Sequence, residues 1–181
     1  EGEKKVRDKL KIQEGELLIG LCWRSSLQTT ARSVHYLTVE DLAPLKAIKN
    51  TVFLGLQYDD CLPELDRVRA LGLPIHYYTD IDQKNDLASS CALIGACDLV
   101  ISAGTAVAEL SASLGVPTIK FLYTKIKGSK LIPWHPTMQT LEFSNDNLAL
   151  LATQIIQDMD ELVDWANQVT TSARCIEPYN G

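Results

Sequence analysis

The sequence predicts an α/β fold on a mostly parallel sheet, a prediction that rests on three observations. Short apolar runs rich in strand-forming residues recur along the chain, and helical periodicities separate most of them. The run Leu99-Val-Ile is apolar at every position, as in a strand covered on both faces. Strands are predicted at residues 16–22, 51–57, 73–77, 98–102 and 116–122. Helices are predicted at 38–48, 62–71, 83–96, 105–114 and 147–169. The stretch 33–37, which holds His35, reads as β-like, and His76 falls inside the third strand. The segment 122–140 breaks the pattern and reads as a long loop carrying Lys125, Lys127, Lys130, Trp134 and His135, a length often found in functional lids.

With 181 residues, 46% of them hydrophobic and 22% charged, the chain has the size and composition of one soluble domain, its core at about 16–170. The polar opening, without an initiator methionine or a hydrophobic signal region, suggests a fragment of a larger protein. Apolar runs fall far short of the roughly 20 residues of a membrane span. A net charge of −6 argues against a nucleic-acid interface, although a small anionic ligand needs only local donors. The five cysteines, at 22, 61, 91, 97 and 175, show no Cys-x-x-Cys spacing and are odd in number. Neither a zinc site nor a complete disulfide framework is supported, and reduced, mostly buried thiols in a cytoplasmic setting are expected.

Ligands on parallel sheets sit beyond the carboxyl ends of the strands, so each candidate site should follow a strand. After the fourth strand, Ser102-Ala-Gly-Thr105 leads into an alanine-rich helix whose free N–H groups and positive dipole end suit an anion. Gly104 lets a ligand approach the backbone, and Thr105 adds a hydroxyl. At helical spacing, Ala106, Val107, Leu110 and Leu114 form the stripe expected to face the core. Thr105, Ala108, Glu109 and Ala112 lie opposite, where Glu109 is either a solvated face residue or an acceptor for a diol. After the first strand, Trp23-Arg-Ser-Ser-Leu-Gln-Thr-Thr-Ala-Arg-Ser33 offers Arg24 and Arg32 as phosphate forks and Ser25, Ser26 and Thr29 as neutral donors. The second strand ends at Gln57, a polar ligand or a turn former, followed by Tyr58. Asp60, Asp82 and Ser102 have ordinary uses in caps and turns, and Asp80-Ile-Asp82 reads equally as a turn or a metal loop.

The ordered set Ile19-Gly-Leu-Cys-Trp-Arg-Ser-Ser26, Arg32-Ser33, Asp41-Leu-Ala-Pro-Leu45, Phe53-Leu-Gly-Leu-Gln57 and Asp98-Leu-Val-Ile-Ser-Ala-Gly-Thr-Ala-Val-Ala-Glu-Leu110 resembles the carboxyl-terminal half of GT-B glycosyltransferases. It is most similar to the heptosyltransferase-like group, including forms found after tetratricopeptide repeats in bacterial proteins. The resemblance implies a Rossmann-like three-layer domain that binds a nucleotide-diphosphate sugar, with a separate amino-terminal half for the acceptor and the catalytic base. It places Ser25, Ser26 and Arg32 near the donor phosphates, Gln57 near the nucleoside, and Gly104, Thr105 and Ala106 over the diphosphate. The family usually has Asp at Gly104 and His at Glu109, so Glu109 is expected to hold ribose or sugar hydroxyls instead.

The expected activity is metal-independent hexosyl or heptosyl transfer without a cofactor, by a protein of which this chain is an incomplete part. The competing readings are an epimerase or hydrolase of nucleotide sugars and a non-catalytic nucleotide-sugar- or protein-binding module. A dinucleotide oxidoreductase is disfavoured, because Cys-Trp-Arg-Ser-Ser stands where its glycine-rich turn belongs.

Overall fold

A computed structural model describes residues 2–123, 135–143 and 151–174. Six strands, β1 (Leu17–Cys22), β2 (Thr51–Gly55), β3 (Ile75–His76), β4 (Leu99–Ala103), β5 (Thr118–Tyr123) and β6 (Met138–Phe143), form one sheet in the order β3-β2-β1-β4-β5-β6. Every pairing is parallel. The helices are α1 (Gly2–Leu10), α2 (Thr30–Ser33), α3 (Val39–Leu42), α4 (Leu62–Ala70), α5 (Leu87–Gly95), α6 (Ala106–Ser113), α7 (Leu151–Gln157) and α8 (Met159–Arg174).

Alternation along the strands splits the core into two layers of contact. Ile19, Leu21, Phe53, Ile101, Ile119 and Phe121 pack on one face with Leu42, Leu65, Ile155 and Leu162 from the helices. Leu18, Cys22, Leu54 and Val100 face the other way, toward Val6 of α1, Leu93 of α5 and Val107 of α6. At the centre of β1, a Cβ on Gly20 would lie 2.5 Å from Leu56 Cδ1 and 3.0 Å from Cys97 Sγ, so only glycine fits that close approach.

Several predicted boundaries shift, each for a local reason. Pro44 has no N–H and its ring obstructs the preceding turn, so the segment expected as one helix at 38–48 divides into α3 and a 3-10 turn at Ala43–Ala47. Residues 33–37 are the end of α2, a turn and an extended link, not β-structure, and His35 is exposed there. Next to Pro74, β3 keeps only two residues. Asp82 accepts from the N–H groups of Lys84 and Asn85 at 3.1 Å and makes a turn, so the third predicted helix starts late, at α5, capped by Asp86. The final helix breaks at Asp158 into α7 and α8. Three elements were absent from the expectation: the charged helix α1, which buries only Val6, the single turn α2 within the loop after β1, and β6, which begins within the supposed loop. Lys125, Lys127, Lys130 and Trp134 lie outside the described residues.

Candidate functional site at the carboxyl ends of β1 and β4

The strand order reverses between β1 and β4, which are joined in register from Ile19↔Leu99 to Cys22↔Ser102. The connections leaving these two strands run in opposite directions along the sheet, which opens a crevice at their carboxyl ends.

One lip is the start of α6. Thr105 is its N-cap, with extended backbone and a hydroxyl that accepts from Val107 N–H at 3.3 Å. The same hydroxyl lies 3.6 Å from Cys22 Sγ and 3.4 Å from Ser102 Oγ, so it is turned inward and ties the lip to β1. Among the described residues, the N–H of Ala106, the first residue of α6, has no acceptor, and both Gly104 and Ala106 are exposed. The Ala106 N–H is a donor of the kind that a helix start leaves for an anion. A Cβ on Gly104 would come within 3.3 Å of Leu122 Cδ2, which keeps this approach narrow.

The other lip is the loop that leaves β1 at Trp23 and returns at Leu37, whose N–H donates to the Trp23 carbonyl at 3.1 Å. Ser26 and Arg32 are exposed on it, and no acidic side chain among the described residues pairs with Arg32. Ser25 is half-buried, its Oγ accepting from Tyr58 OH and Leu27 N–H at 3.3 Å.

Arg24 sits differently. Only 5% exposed, it donates from Nε to both Glu64 oxygens at 2.9 and 3.0 Å. Its Nη1 meets Asp59 and the Ser25 carbonyl, and its Nη2 meets Glu64 and the Asp60 carbonyl. Burial disfavours the Arg24 charge, but its hydrogen bonds to Glu64 and then to Asp59 outweigh it and raise the guanidinium above its ordinary pKa. Gln57 is fully buried beneath the loop. Its Nε2 donates to the Arg24 carbonyl at 2.9 Å and to Asp59 Oδ1 at 2.8 Å, while its Oε1 accepts from Arg24 N–H at 3.3 Å. Asp59 and Glu64 carry this arrangement without any signal in the sequence, since nothing in the spacing links α4 to the β1 loop. Burial pushes the Cys22 thiol up to about 11, which leaves it neutral at the floor of the crevice.

The α6 stripe is a correction. Val107, Ala108, Ser111 and Ala112 are the buried face, while Ala106 is exposed and Leu114 is 45% exposed. Ala108 and Ala112 pack on Met138, because β6, unseen in the sequence, lies beneath that side and small residues let the helix approach it. Glu109 is half-buried, with Oε1 2.8 Å from Lys120 Nζ on β5 and Oε2 3.5 Å from His135 Nε2. A lysine inside the apolar strand Thr-Ile-Lys-Phe-Leu was the sequence signal for that partner.

A cavity of about 710 Å³ lies at the opposite, amino-terminal end of the strands, lined by Arg7, Leu17, Asp98, Leu114, Gly115 and Ala166. Its walls carry none of the candidate donor-binding residues. Among the described residues, no group of three His, Cys, Asp or Glu side chains is placed to hold a metal ion. No helix among them is long and apolar enough to cross a membrane.

The sheet order and crevice define a Rossmann-like α/β domain. Its solved likenesses narrow the class. Escherichia coli ADP-heptose lipopolysaccharide heptosyltransferase II matches with a TM-score of 0.69 at 9% identity, over 92% of this chain and 52% of that one. A family 9 glycosyl transferase from Veillonella parvula matches at 0.61 and 16% identity, over 89% and 50% of the two chains. E. coli heptosyltransferase WaaC with ADP-2-deoxy-2-fluoro heptose matches at 0.59 and 15% identity, over 81% and 43%. The fold is therefore that of one half of a GT-B glycosyltransferase of the heptosyltransferase kind, and the chain spans about half the length of these proteins. In sequence, it is 30% identical to protein FlbA of Caulobacter vibrioides over 126 residues, which are 67% of this chain and 21% of FlbA. No family model matches the sequence.

Proposed function

We propose that this chain is the donor-binding half of a glycosyltransferase, which holds the diphosphate of a nucleotide sugar at the crevice between β1 and β4. The observation that carries the reading is the open start of α6, where the Ala106 N–H has no acceptor among the described residues and Gly104 is exposed, at the point where the strand order reverses. A diphosphate there receives backbone donors and the positive end of the helix from one lip and Arg32 and Ser26 from the other. The same groups stabilise the negative charge that develops on the departing diphosphate, so the transfer needs no metal. The acceptor and the catalytic base belong to a partner domain in the same protein, and tetratricopeptide repeats are a further partner of this kind of half.

Calorimetric titration of the chain with ADP, UDP and GDP tests the reading. Saturable binding of at least one is expected, and about tenfold weaker binding in Gly104→Val, because the added side chain meets Leu122 and covers the open backbone. Absence of binding for all three rejects the site.

A further inference from the structure

Arg24 is the basic residue closest in sequence to the end of β1, and a diphosphate beside β1 is the ligand that an unpaired arginine there would take. The geometry assigns it another task. We infer that Arg24 is a positioning residue of the proposed donor site, locking the root of the 24–36 loop together with Gln57, Asp59 and Glu64, and that it makes no contact with the donor.

The backbone ladder between β1 and β2 ends with Leu56 N–H donating to the Leu21 carbonyl at 2.8 Å. Beyond it, the Gln57 side-chain amide takes over, bonding both the N–H and the C=O of Arg24 as another strand residue would. The Arg24 side chain then crosses to α4, and each of its three nitrogens has a protein acceptor. One guanidinium against the carboxylates of Asp59 and Glu64 leaves the cluster with a net negative charge. A phosphate reaching Arg24 has to displace two carboxylates from a side chain that is 6% exposed, against their repulsion. Arg32, exposed on the same loop, has no such competitor among the described residues, and the lock fixes the segment that presents it.

The inference rests on the donor-site reading, and one experiment separates the two. The 181-residue chain and its Asp59→Asn and Arg24→Lys variants are titrated with ADP, UDP and GDP well below their melting temperatures, and amide hydrogen exchange is followed without ligand. If Arg24 were a phosphate ligand, Asp59→Asn would release it from a competitor and tighten binding. As a positioning residue it gives the opposite sign: Asp59→Asn and Arg24→Lys each weaken binding about tenfold, the loss expected for one charge-assisted hydrogen bond. The double variant is then no weaker than the worse single one, because both break one network. Amides of the loop exchange faster in both variants, while those of β4 do not change. A part that serves only stability would lower the melting temperature and leave the dissociation constant of the folded chain where it was. Tighter binding in Asp59→Asn overturns the inference, as does unchanged loop exchange in a chain that binds nucleotide. Failure of the unsubstituted chain to bind any of the three overturns the donor reading itself.

Discussion

At the residue scale, the crevice depends on side chains whose polar atoms turn inward. Thr105 is legible in the sequence as a helix start, yet its hydroxyl caps α6 and leans on Cys22 and Ser102 instead of facing solvent. Thr105→Val keeps the shape and removes the cap, at a cost of about 1 kcal/mol, which lowers the melting temperature of a chain of this size by about 2–4 °C. Calorimetric melting reads this directly, and an unchanged midpoint denies the cap its weight. Gln57 and Arg24 show where sequence reading reaches its limit. Both stand at the strand ends where ligand-binding residues belong, but a side chain's partner depends on what the fold brings opposite it. Here that is Asp59 and Glu64, which follow β2 and open α4. Arg32, Ser26 and Gly104 are exposed on the lips, and so is Ala106, which the helical stripe had turned toward the core.

At the element scale, the strands β1, β2 and β4 at the sheet centre were located because each carries an unbroken apolar run. Helix limits were less legible, because they are set by short-range competition for backbone N–H groups. Asp82 wins a turn and Asp86 wins the cap of α5, accepting from Ser89 Oγ at 2.6 Å and from Ser89 N–H at 3.0 Å. Those bonds, first the hydroxyl and then the backbone, hold the Asp86 carboxyl below its ordinary value of 3.8. A depressed carboxyl stabilises the fold above its unfolded pKa, and the contribution vanishes as pH falls through the lower folded value. Asp86→Asn still caps but does not titrate, so the gap in melting temperature between the two chains is expected to narrow as pH falls below the ordinary 3.8 toward the lower folded value. A gap that stays constant across that range assigns the acid sensitivity elsewhere. On α6, the alanine face was misassigned for want of β6, whose residues Met138–Phe143 alternate weakly among polar neighbours. Ala108 is fully buried against Met138, so Ala108→Leu overpacks the contact and costs about 1–3 kcal/mol in urea unfolding. A neutral Ala108→Leu places that helix face away from the strand.

At the scale of the whole molecule, a sheet with two ends poses a choice that sequence reading answers by rule, expecting ligands where the strands lead into helices. The 710 Å³ cavity lies at the other end, between the strand starts and α8. Volume alone favours it, but chemistry does not. There the carboxyl-terminal ends of α5 and α6 turn carbonyls and the negative ends of two dipoles toward the space, and Arg7 is already held by the Ala96 carbonyl at 2.8 Å and by Asp98 at 3.0 Å. On the donor-site reading, a diphosphate is therefore expected at the start of α6 and none at that end. Ligand that binds only the folded chain raises its stability by RT ln(1 + [L]/Kd), about 2.7 kcal/mol at a hundredfold excess over Kd, or a rise of roughly 5–10 °C in melting temperature. Leu114→Trp, at a half-exposed position on the cavity wall, narrows the lower space and is expected to keep that rise in full. Gly104→Val is expected to lose most of it. The reverse pattern, a shift retained by Gly104→Val and lost by Leu114→Trp, moves the nucleotide to the amino-terminal end of the sheet and leaves the α6 donors to water.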